Sequence, residues 1–249
     1  MRIDDENGVR RVTFDRPEQL NSFTADEASE LAAAIEGVDE NEYDAVVLTG
    51  EGEAFSAGGD LEAMDEREET PKESYDRTTE TLGRVVEAAL TSPVPIVAKV
   101  NGDAVGAGLA VTAVSDFAYA AESAAFSCAF VRVGLVPDTG GTFLLPQLIG
   151  LRDAKRLALT AEFVSAEEAA ELGLVNRAVP DDELDEAVAE LLETLRERPT
   201  ATLGLTKRAI HENMGRYWQE ALDHELLTQS LAYGTPEHED GVRAFLERR

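Results

Sequence analysis

Two glycine-rich segments constrain the fold of this chain more than any other feature of its sequence. The segment 54–61 reads AFSAGGDL and follows the apolar run Ala45–Thr49, and the segment 101–109 reads NGDAVGAGL and follows Ile96–Val100. A β-branched run that ends in small residues before a helical pattern predicts a strand, a tight turn and a helix. Two such turns can direct two backbone N–H groups at one point, an arrangement that stabilises an oxyanion. The pair predicts chemistry on a carbonyl that becomes an enolate or a tetrahedral anion.

The charge of the chain limits its partners and its environment. Its 249 residues include 50 acidic and 22 basic side chains, which give a formal net charge of −28. Because the acids are spread along the whole chain, nucleic acid and anionic membranes are not expected as partners. A lysine-poor acidic surface is typical of proteins from a high-salt cytoplasm, where counterions screen the repulsion. With no apolar run of membrane-spanning length and a polar N-terminus, the expected location is the cytoplasm.

Cysteine and histidine give no sign of a disulfide or a metal centre. Cys128 is the only cysteine, so no intrachain disulfide can form, and its apolar neighbours predict a buried, unreactive thiol. The three histidines, His211, His224 and His238, all lie towards the C-terminus and are not accompanied by a cluster of other metal ligands. We therefore expect no metal site.

The spacing of apolar residues predicts a β/α core in residues 1–180 and a helical region in residues 181–249. Capping boxes at Thr24–Glu27 and Ser165–Glu168 predict two helix starts. Residues 66–73 are acidic and poor in apolar side chains, which predicts a mobile loop. The predicted core strands are Val9–Arg16, Ala45–Thr49, Ile96–Val100, Phe117–Ala120, Ala125–Ala129 and Val175–Val179. The predicted core helices are 24–38, a segment that ends at Ser92, Ala107–Val114, Asp138–Ile149, Asp153–Thr160 and Ala169–Leu172.

The helical region has apolar faces that must be covered. Trp218 lies at core spacing within it and is expected to pack inside the chain. Such faces are buried either on the protein's own core or on a neighbouring subunit. The predicted helices of this region are Asp182–Arg198, Ala201–Asn213, Tyr217–Ala232 and Glu237–Arg248.

Six segments, in this order and at this spacing, resemble the crotonase (enoyl-CoA hydratase/isomerase) superfamily over nearly the whole chain. The resemblance implies an α/β, ClpP-like fold class of repeated ββα units with two near-perpendicular sheets. It also implies a C-terminal helical region that forms a homotrimer or a dimer of trimers. The implied ligand is an acyl thioester of coenzyme A, which is the substrate, so no cofactor is expected. The six segments are 16–21 (RPEQLN), 55–61, 99–109, 115–117, 134–142 and 241–246 (GVRAFL).

Carried over position by position, the resemblance implies that the two oxyanion N–H groups belong to Gly59 and Ala107. Ala107 replaces the usual glycine, but it keeps its N–H, and a Cβ is tolerated at the start of a helix. The dipole of that helix would add positive potential at the thioester oxygen. The positions that resemble those holding the pantetheine and adenine of coenzyme A are Gln19, Leu20, Ser56, Ala57, Gly58, Gly59, Asp60 and Leu61.

The chain departs from the hydratases of this superfamily at their two glutamates. Those positions correspond here to Ala110 and Phe130. Hydration requires that a water molecule be held and deprotonated while a proton is delivered to the neighbouring carbon, and two carboxylates share that work. Neither Ala110 nor Phe130 can do either step, so efficient hydration by the usual mechanism is not expected.

One acid remains near the predicted site, Asp138 in the run GLVPDTGGT at 134–142. Pro-Asp-x-Gly is ordinary turn chemistry, and on that basis Asp138 would be the N-cap of the next helix. The same run is similar to the ring-1,2-epoxyphenylacetyl-CoA isomerases of phenylacetate breakdown, which implies that Asp138 is the single acid/base of a double-bond shift. We expect it to lie among Phe130, Val136, Pro137 and Phe143, where burial raises its pKa.

Three other functions fit parts of the sequence. A hydratase could use Glu62 or Asp65 in place of the missing glutamates. A dehalogenase-like enzyme would use Asp138 as a nucleophile on an aromatic ring, but it also needs a histidine base before the Ile96–Val100 strand, and the first histidine is His211. A subunit that binds CoA esters without turning them over would need neither acid.

Overall fold

Ten strands form two sheets in the computed structural model, which describes residues 1–247. The strands are β1 (Arg2–Glu6), β2 (Val9–Phe14), β3 (Ala45–Gly50), β4 (Ala54–Ser56), β5 (Ile96–Val100), β6 (Asp103–Val105), β7 (Phe117–Ala121), β8 (Ala125–Ser127), β9 (Phe163–Ser165) and β10 (Arg177–Val179). One sheet has the order β1-β2-β3-β5-β7-β10 and the other the order β4-β6-β8-β9.

The helices alternate with the strands up to residue 172 and follow one another after residue 180. They are α1 (Ala25–Glu36), α2 (Leu61–Asp65), α3 (Pro71–Thr78), α4 (Arg84–Thr91), α5 (Ala107–Val114), α6 (Leu145–Thr160), α7 (Ala166–Leu172), α8 (Leu184–Arg196), α9 (Thr200–Asn213), α10 (Trp218–Tyr233) and α11 (Pro236–Glu247). A π-helical turn, Thr79–Gly83, joins α3 to α4. Short 3₁₀ turns occupy Pro17–Gln19, Ala129–Val133 and Asp181–Glu183.

The strand pairing brings the two glycine-rich segments together. In the larger sheet β3 pairs with β5 in parallel, and in the smaller sheet β4 pairs with β6 in parallel. Each glycine-rich segment therefore leaves one sheet, enters the other and continues into a helix, α2 or α5. Strand β3, and β5 apart from Lys99, are almost entirely apolar because their side chains are buried in hydrophobic clusters on both faces of the sheet. Both strand predictions are confirmed.

The first strand, β1, was not predicted, because its sequence is polar and fully exposed. It pairs antiparallel with β2, from Arg2 opposite Thr13 to Glu6 opposite Val9. The turn between them is Asn7-Gly8, with φ of 50° and 75°. Asn-Gly at positive φ is the preferred two-residue hairpin turn, so the turn residues carried a signal that the polar strand did not.

The loop that follows α2 is shorter than predicted. Helix α3 begins at Pro71, and Thr70 and Glu73 form a reciprocal capping box at its start. The loop prediction for residues 66–73 is therefore wrong at its C-terminal end. Thr70-Pro71-Lys72-Glu73 is a helix-start pattern, which the acidic composition of the segment concealed.

After β10 the described chain contains helices only. Helix α8 buries Leu184, Val188 and Leu195 against the larger sheet. Lys207 of α9 is buried, and its Nζ lies 2.6 Å from Asp116 and 3.3 Å from the Val94 carbonyl. Trp218 in α10 is 71% exposed, so the prediction that it packs inside the chain is wrong for a single subunit. No helix within residues 1–247 is long and apolar enough to cross a bilayer.

Candidate functional site

The two glycine-rich turns touch at Gly58. Its φ is +90°, and a Cβ built on it would lie 3.1 Å from the backbone nitrogen of Ala107 and 2.6 Å from the carbonyl oxygen of Val105. Real Cβ atoms do not approach backbone that closely, and positive φ also disfavours a side chain. Only glycine allows the first turn to lie directly against the start of α5.

The N–H of Gly59 is oriented by the peptide bond that precedes it. The N–H of Phe23 donates to the carbonyl oxygen of Gly58 at 2.7 Å. In a trans peptide the oxygen and the following N–H point in opposite directions, so this bond turns the Gly59 N–H away from Phe23. Among residues 1–247 no protein oxygen accepts from the Gly59 N–H, and Gly59 lines a pocket.

The N–H of Ala107 is oriented by the helix that it begins. The carbonyl of Gly106 accepts from the N–H of Ala110 at 3.1 Å, as in any first helical turn, so the Ala107 N–H points out of the N-terminus of α5. Gly106, the N-cap, provides no side-chain cap, and every residue of α5 is buried. In the described residues the Ala107 N–H has no protein acceptor. The positive end of the α5 dipole therefore faces the pocket in low-dielectric surroundings.

Asp138 lies in a turn rather than at a helix start. The carbonyl of Asp138 accepts from the N–H of Gly141 at 2.8 Å, and Thr139 and Gly140 have positive φ. Helix α6 begins only at Leu145. The N-cap interpretation of Asp138 is therefore wrong, as is the predicted start of a helix at residue 138, because consecutive positive φ values cannot belong to an α-helix.

Burial raises the pKa of the Asp138 carboxyl above its usual range. Asp138 is exposed as a whole residue, but the protein atoms around its carboxyl remove part of the hydration of that group. Three weaker effects oppose the shift in pKa: a hydrogen bond of 2.9 Å from the Thr139 hydroxyl, one from its own backbone N–H, and the nearby charge of Arg77. A carboxyl with a raised pKa accepts a proton more readily than an aspartate at its ordinary pKa does.

One pocket of about 230 Å³ brings Gly59, Ala107 and Asp138 together. Asp138 is the only carboxylate among the residues that line it. Ala110 is fully buried inside α5, and Phe130, the other position at which the resemblance predicts that a hydratase would have its acid, lines the pocket. The remaining lining residues are Ala57, Leu61, Met64, Leu82, Val105, Gly106, Ala129, Arg132, Val133 and Leu135.

The surroundings of Asp138 differ in part from those predicted. Phe130 shares the pocket with it, but Val136 is 74% exposed and does not line the pocket, and neither does Phe143. The side chains that take their place, Val133 and Leu135, come from the 3₁₀ turn and the loop after it. Val136 points outwards because the chain reverses at Gly134, which has a φ of +73°.

The acids of α2 are poorly placed to replace the missing glutamates. Glu62 and Asp65 are exposed, and neither lines the pocket. Met64 from α2 and Leu82 from the π-helical turn, which the sequence did not single out, are among the residues that do line it. A π-helical turn shifts the register of a helix and is common at functional sites, but no pattern in the sequence indicated it.

Of the positions assigned to coenzyme A by resemblance, Ala57, Gly59 and Leu61 line the pocket, and the others adjoin them in the chain or through hydrogen bonds. Leu20 is 53% exposed, and its carbonyl accepts from the N–H of Ala57 at 2.9 Å, which joins the segment at 16–21 to the first glycine-rich turn. Ser56 is buried, with its hydroxyl donating to the Asn21 carbonyl and accepting from the Gly58 N–H. Its side chain therefore supports the turn from inside.

The remaining positions assigned to coenzyme A likewise include a buried residue that supports the turn and exposed residues. Asp60 is buried; it caps α2 and pairs with Arg16. Gln19 is exposed at the end of the 3₁₀ turn, and Leu61 is exposed at the start of α2 and lines the pocket. The open surface at these positions therefore consists of Gln19, Leu20, Leu61 and the backbone between residues 57 and 59.

Comparison with known proteins gives a consistent result across sequence and structure. The family model described as "Enoyl-CoA hydratase/isomerase" matches residues 4–249. A probable enoyl-CoA hydratase of Rhodobacter capsulatus is 36% identical, over 100% of this chain and 95% of its own length. The 1,2-epoxyphenylacetyl-CoA isomerase of Escherichia coli is also 36% identical, over 98% of this chain and 94% of its own.

Among solved structures, an enoyl-CoA hydratase of Mycobacterium smegmatis superposes with a TM-score of 0.91 at 32% identity, covering 99% of this chain and 96% of that one. A likeness of this extent confirms the predicted α/β fold class of the crotonase type. Hydratases and isomerases both occur among the relatives, so the comparisons identify the family and leave the reaction to the residues of the pocket.

Proposed function

We propose that this protein, which belongs to the crotonase (enoyl-CoA hydratase/isomerase) superfamily, is an isomerase that shifts a double bond in an acyl-CoA thioester. The observation that carries the proposal is the content of one pocket: two backbone N–H groups without a protein acceptor among the described residues, and Asp138 as its only carboxylate. An isomerase needs one acid/base, whereas a hydratase of the usual kind needs two.

The proposed reaction moves one proton between two carbons on the same face of the acyl chain. The Asp138 carboxylate removes a proton from the carbon next to the thioester carbonyl. Electrons shift to give a dienolate, whose oxygen accepts hydrogen bonds from the N–H groups of Gly59 and Ala107. Asp138 then returns the proton two carbons away. Its raised pKa suits a group that must be a base in the first step and an acid in the second.

We propose that the acyl group occupies the apolar part of the pocket and that coenzyme A lies along the edge formed by Gln19, Leu20 and residues 56–61. Coenzyme A is then part of the substrate, and the reaction requires no further cofactor. Apart from Asp138 and Arg132, the side chains that line the pocket are apolar, and they include Phe130, Val133 and Leu135. These side chains cannot hold or deprotonate a water molecule, which favours isomerisation over hydration.

Three substrates tested side by side separate the candidate functions: crotonyl-CoA, a 3-enoyl-CoA and ring-epoxidised phenylacetyl-CoA, each in high-salt buffer. We expect isomerised product from either or both of the latter two and no 3-hydroxyacyl product from crotonyl-CoA. Hydration of crotonyl-CoA at a comparable rate would identify a hydratase. Binding of all three without product would exclude both the isomerase and the hydratase, and would leave the non-catalytic subunit and the dehalogenase-like enzyme.

We also propose that the protein is a homotrimer or a dimer of trimers. Helix α10 packs against α9 and α11 and has no buried residue of its own. Four of its leucines, at i, i+4, i+5 and i+9, are largely exposed, and an apolar stripe of this kind needs a covering surface. The leucines are Leu222, Leu226, Leu227 and Leu231. Light scattering at 1 M KCl should give three or six times the subunit mass.

A further inference from the structure

One guanidinium joins three separate segments next to the proposed oxyanion site. The Nη1 atom of Arg16 lies 3.0 Å from a carboxylate oxygen of Asp60, 3.1 Å from one of Glu27 and 3.0 Å from the carbonyl oxygen of Ser22. The Asp60 side chain is 10% exposed, so this is a largely desolvated ion pair. A pair of that kind holds its partners in place more firmly than a surface pair does.

Asp60 directly follows Gly59, and both ends of it are fixed. Its N–H donates to the carbonyl of Phe23 at 3.0 Å, and its second carboxylate oxygen accepts from the N–H of Ala63 at 3.0 Å, which caps α2. Phe23 also donates to the Gly58 carbonyl. The peptide groups on the two sides of Gly59 are therefore both hydrogen-bonded to the backbone of Phe23. The Asp60 side chain, which follows the second of these peptide groups, is bound by Arg16.

We propose that Arg16 is a positioning residue for the oxyanion site: through Asp60 it fixes the direction of the Gly59 N–H. The inference rests on the proposed function, because it takes that N–H to meet the thioester oxygen. Without the guanidinium, the buried Asp60 carboxylate has no counter-charge and turns towards solvent. That movement changes the backbone at residue 60 and tilts the peptide plane between Gly59 and Asp60. Because Gly59 has no side chain to restrict its backbone, the change passes to the preceding peptide, which carries the Gly59 N–H and whose carbonyl accepts from Phe23.

The backbone of Arg16 connects the segment that carries the proposed coenzyme A contacts to the first glycine-rich turn. Arg16 begins the segment that carries Gln19 and Leu20, and its backbone N–H donates to the Asn21 side chain at 3.0 Å. Asn21 in turn donates to the carbonyls of Glu51 and Ala54, next to β4. The segment at residues 16–21 thus carries both the proposed coenzyme A contacts and the guanidinium that binds Asp60, the residue after Gly59. A small displacement of a group that stabilises a transition state costs far more in turnover than in binding.

The test uses a probe that reports on the N–H groups without turnover. A saturated acyl-CoA labelled with ¹³C at its thioester carbonyl is bound to the wild-type protein, to Arg16→Met and to Asp60→Asn, and the carbonyl stretch is measured by difference infrared spectroscopy. Hydrogen bonds from an oxyanion site lower this frequency. We expect it to move towards the unbound value in both variants. Asn at position 60 keeps a side-chain oxygen that can accept from the Ala63 N–H and so preserves the cap of α2. Asp60→Asn therefore provides the measurement if Arg16→Met does not fold.

Glu27→Gln is the matched control, because Glu27 contacts the same Nη1 atom but is remote from Gly59 in the chain. It should lower the melting temperature and leave the carbonyl frequency unchanged. In turnover, Arg16→Met and Asp60→Asn should reduce kcat by roughly tenfold or more while the Kd of the saturated acyl-CoA changes by less than about threefold.

The proposal is overturned if Arg16→Met and Asp60→Asn fold and keep the wild-type carbonyl frequency, or if Glu27→Gln shifts it equally. Failure of the isomerase assignment has a different signature: the wild-type protein lowers the carbonyl frequency of bound acyl-CoA, yet it converts none of the enoyl substrates.

Discussion

The N–H of Phe23 donates to the carbonyl oxygen of Gly58 at 2.7 Å, and this bond turns the next N–H, that of Gly59, into the pocket. The proposed oxyanion site is therefore made of main chain that other main chain holds in place. It does not depend on the side chain at the second turn, which is why alanine at position 107 leaves the geometry intact. It depends strongly on the absence of a side chain at position 58.

Gly58→Ala should damage the site through sterics. A Cβ at position 58 would lie 2.6 Å from the Val105 carbonyl oxygen, so the two turns must separate, and the φ of +90° adds strain. We expect kcat to fall by about 10²-fold or more, the range seen when one oxyanion donor is lost, together with a lower melting temperature. Steady-state kinetics and thermal unfolding measure the two effects.

Gly215→Ala is the control for this variant. Gly215 also has a positive φ, of +77°, but a Cβ there would meet nothing within 4 Å. It carries a similar backbone strain, on the order of 1–2 kcal/mol, and is distant from the pocket. Its melting temperature should fall while its kcat is retained. Equal loss of kcat in both variants would mean that strain alone, and not the contact between the turns, explains the Gly58→Ala result.

Replacing Asp138 should stabilise the protein at neutral pH. Burial raises the pKa of this carboxyl above its unfolded value, so the folded state binds the proton more tightly than the unfolded state. The stability associated with that proton is present at low pH and is lost as the pH rises through the folded pKa. At pH 7 the wild-type protein therefore holds an unfavourable charge that Asp138→Asn removes.

The measurement is the difference in melting temperature between Asp138→Asn and wild type as a function of pH. We expect a positive difference at pH 7 that shrinks on acidification, as Asp138 becomes protonated in both states. Other titrating groups affect both proteins equally and cancel. A variant that is less stable than wild type at pH 7 would show that the charge is well solvated, contrary to the raised pKa.

Salt should stabilise the fold. With a net charge of −28 the folded chain repels itself more than the expanded chain does. Raising KCl from 0.1 to 1 M shortens the screening length from about 10 to about 3 Å. We expect the melting temperature to rise by several degrees over this range, and sucrose at matched osmolality to give a smaller rise. A flat or falling curve in KCl would argue against adaptation to high salt.

The reactivity of the single thiol provides a simple test of the core. Cys128 is fully buried, and burial raises its pKa to about 11. At pH 8 only roughly one thiol in a thousand is ionised at that pKa. Alkylation by iodoacetamide should therefore be slow in the native protein and fast in urea. Fast alkylation without denaturant would show that the segment around β8 opens readily.

The sequence predicted which residues meet in the pocket better than it predicted the conformation of the chain there. The two glycine-rich turns, the absence of acids at Ala110 and Phe130, and the presence of Asp138 could all be read directly, because each depends on which residue occupies a position. The conformation of the chain at Asp138 could not be read from the sequence. A Pro-Asp-x-Gly sequence suits a helix cap and an open turn equally, and the choice was made by positive φ at Thr139 and Gly140.

Two further differences between the prediction and the structure also lie in the conformation of the chain and not in which residue occupies a position. Strand β1 is stabilised by its pairing with β2 and by the Asn7-Gly8 turn, whereas the polar side chains along it carry no pattern. The register shift at Thr79–Gly83, which brings Leu82 to the pocket, arises in the middle of a continuous helical pattern. Neither the pairing of the polar strand nor the register shift follows from the preferences of single residues.

The most direct test of the account is Asp138→Asn with a 3-enoyl-CoA as substrate, with Glu62→Gln as the matched carboxylate control. We predict that the rate of conversion to the 2-enoyl product falls by about 10³-fold or more in Asp138→Asn, while the Kd of a saturated acyl-CoA stays within a few-fold of wild type. Glu62→Gln should retain the wild-type rate. Isomerisation by Asp138→Asn at near the wild-type rate would contradict the assignment of Asp138 as the acid/base.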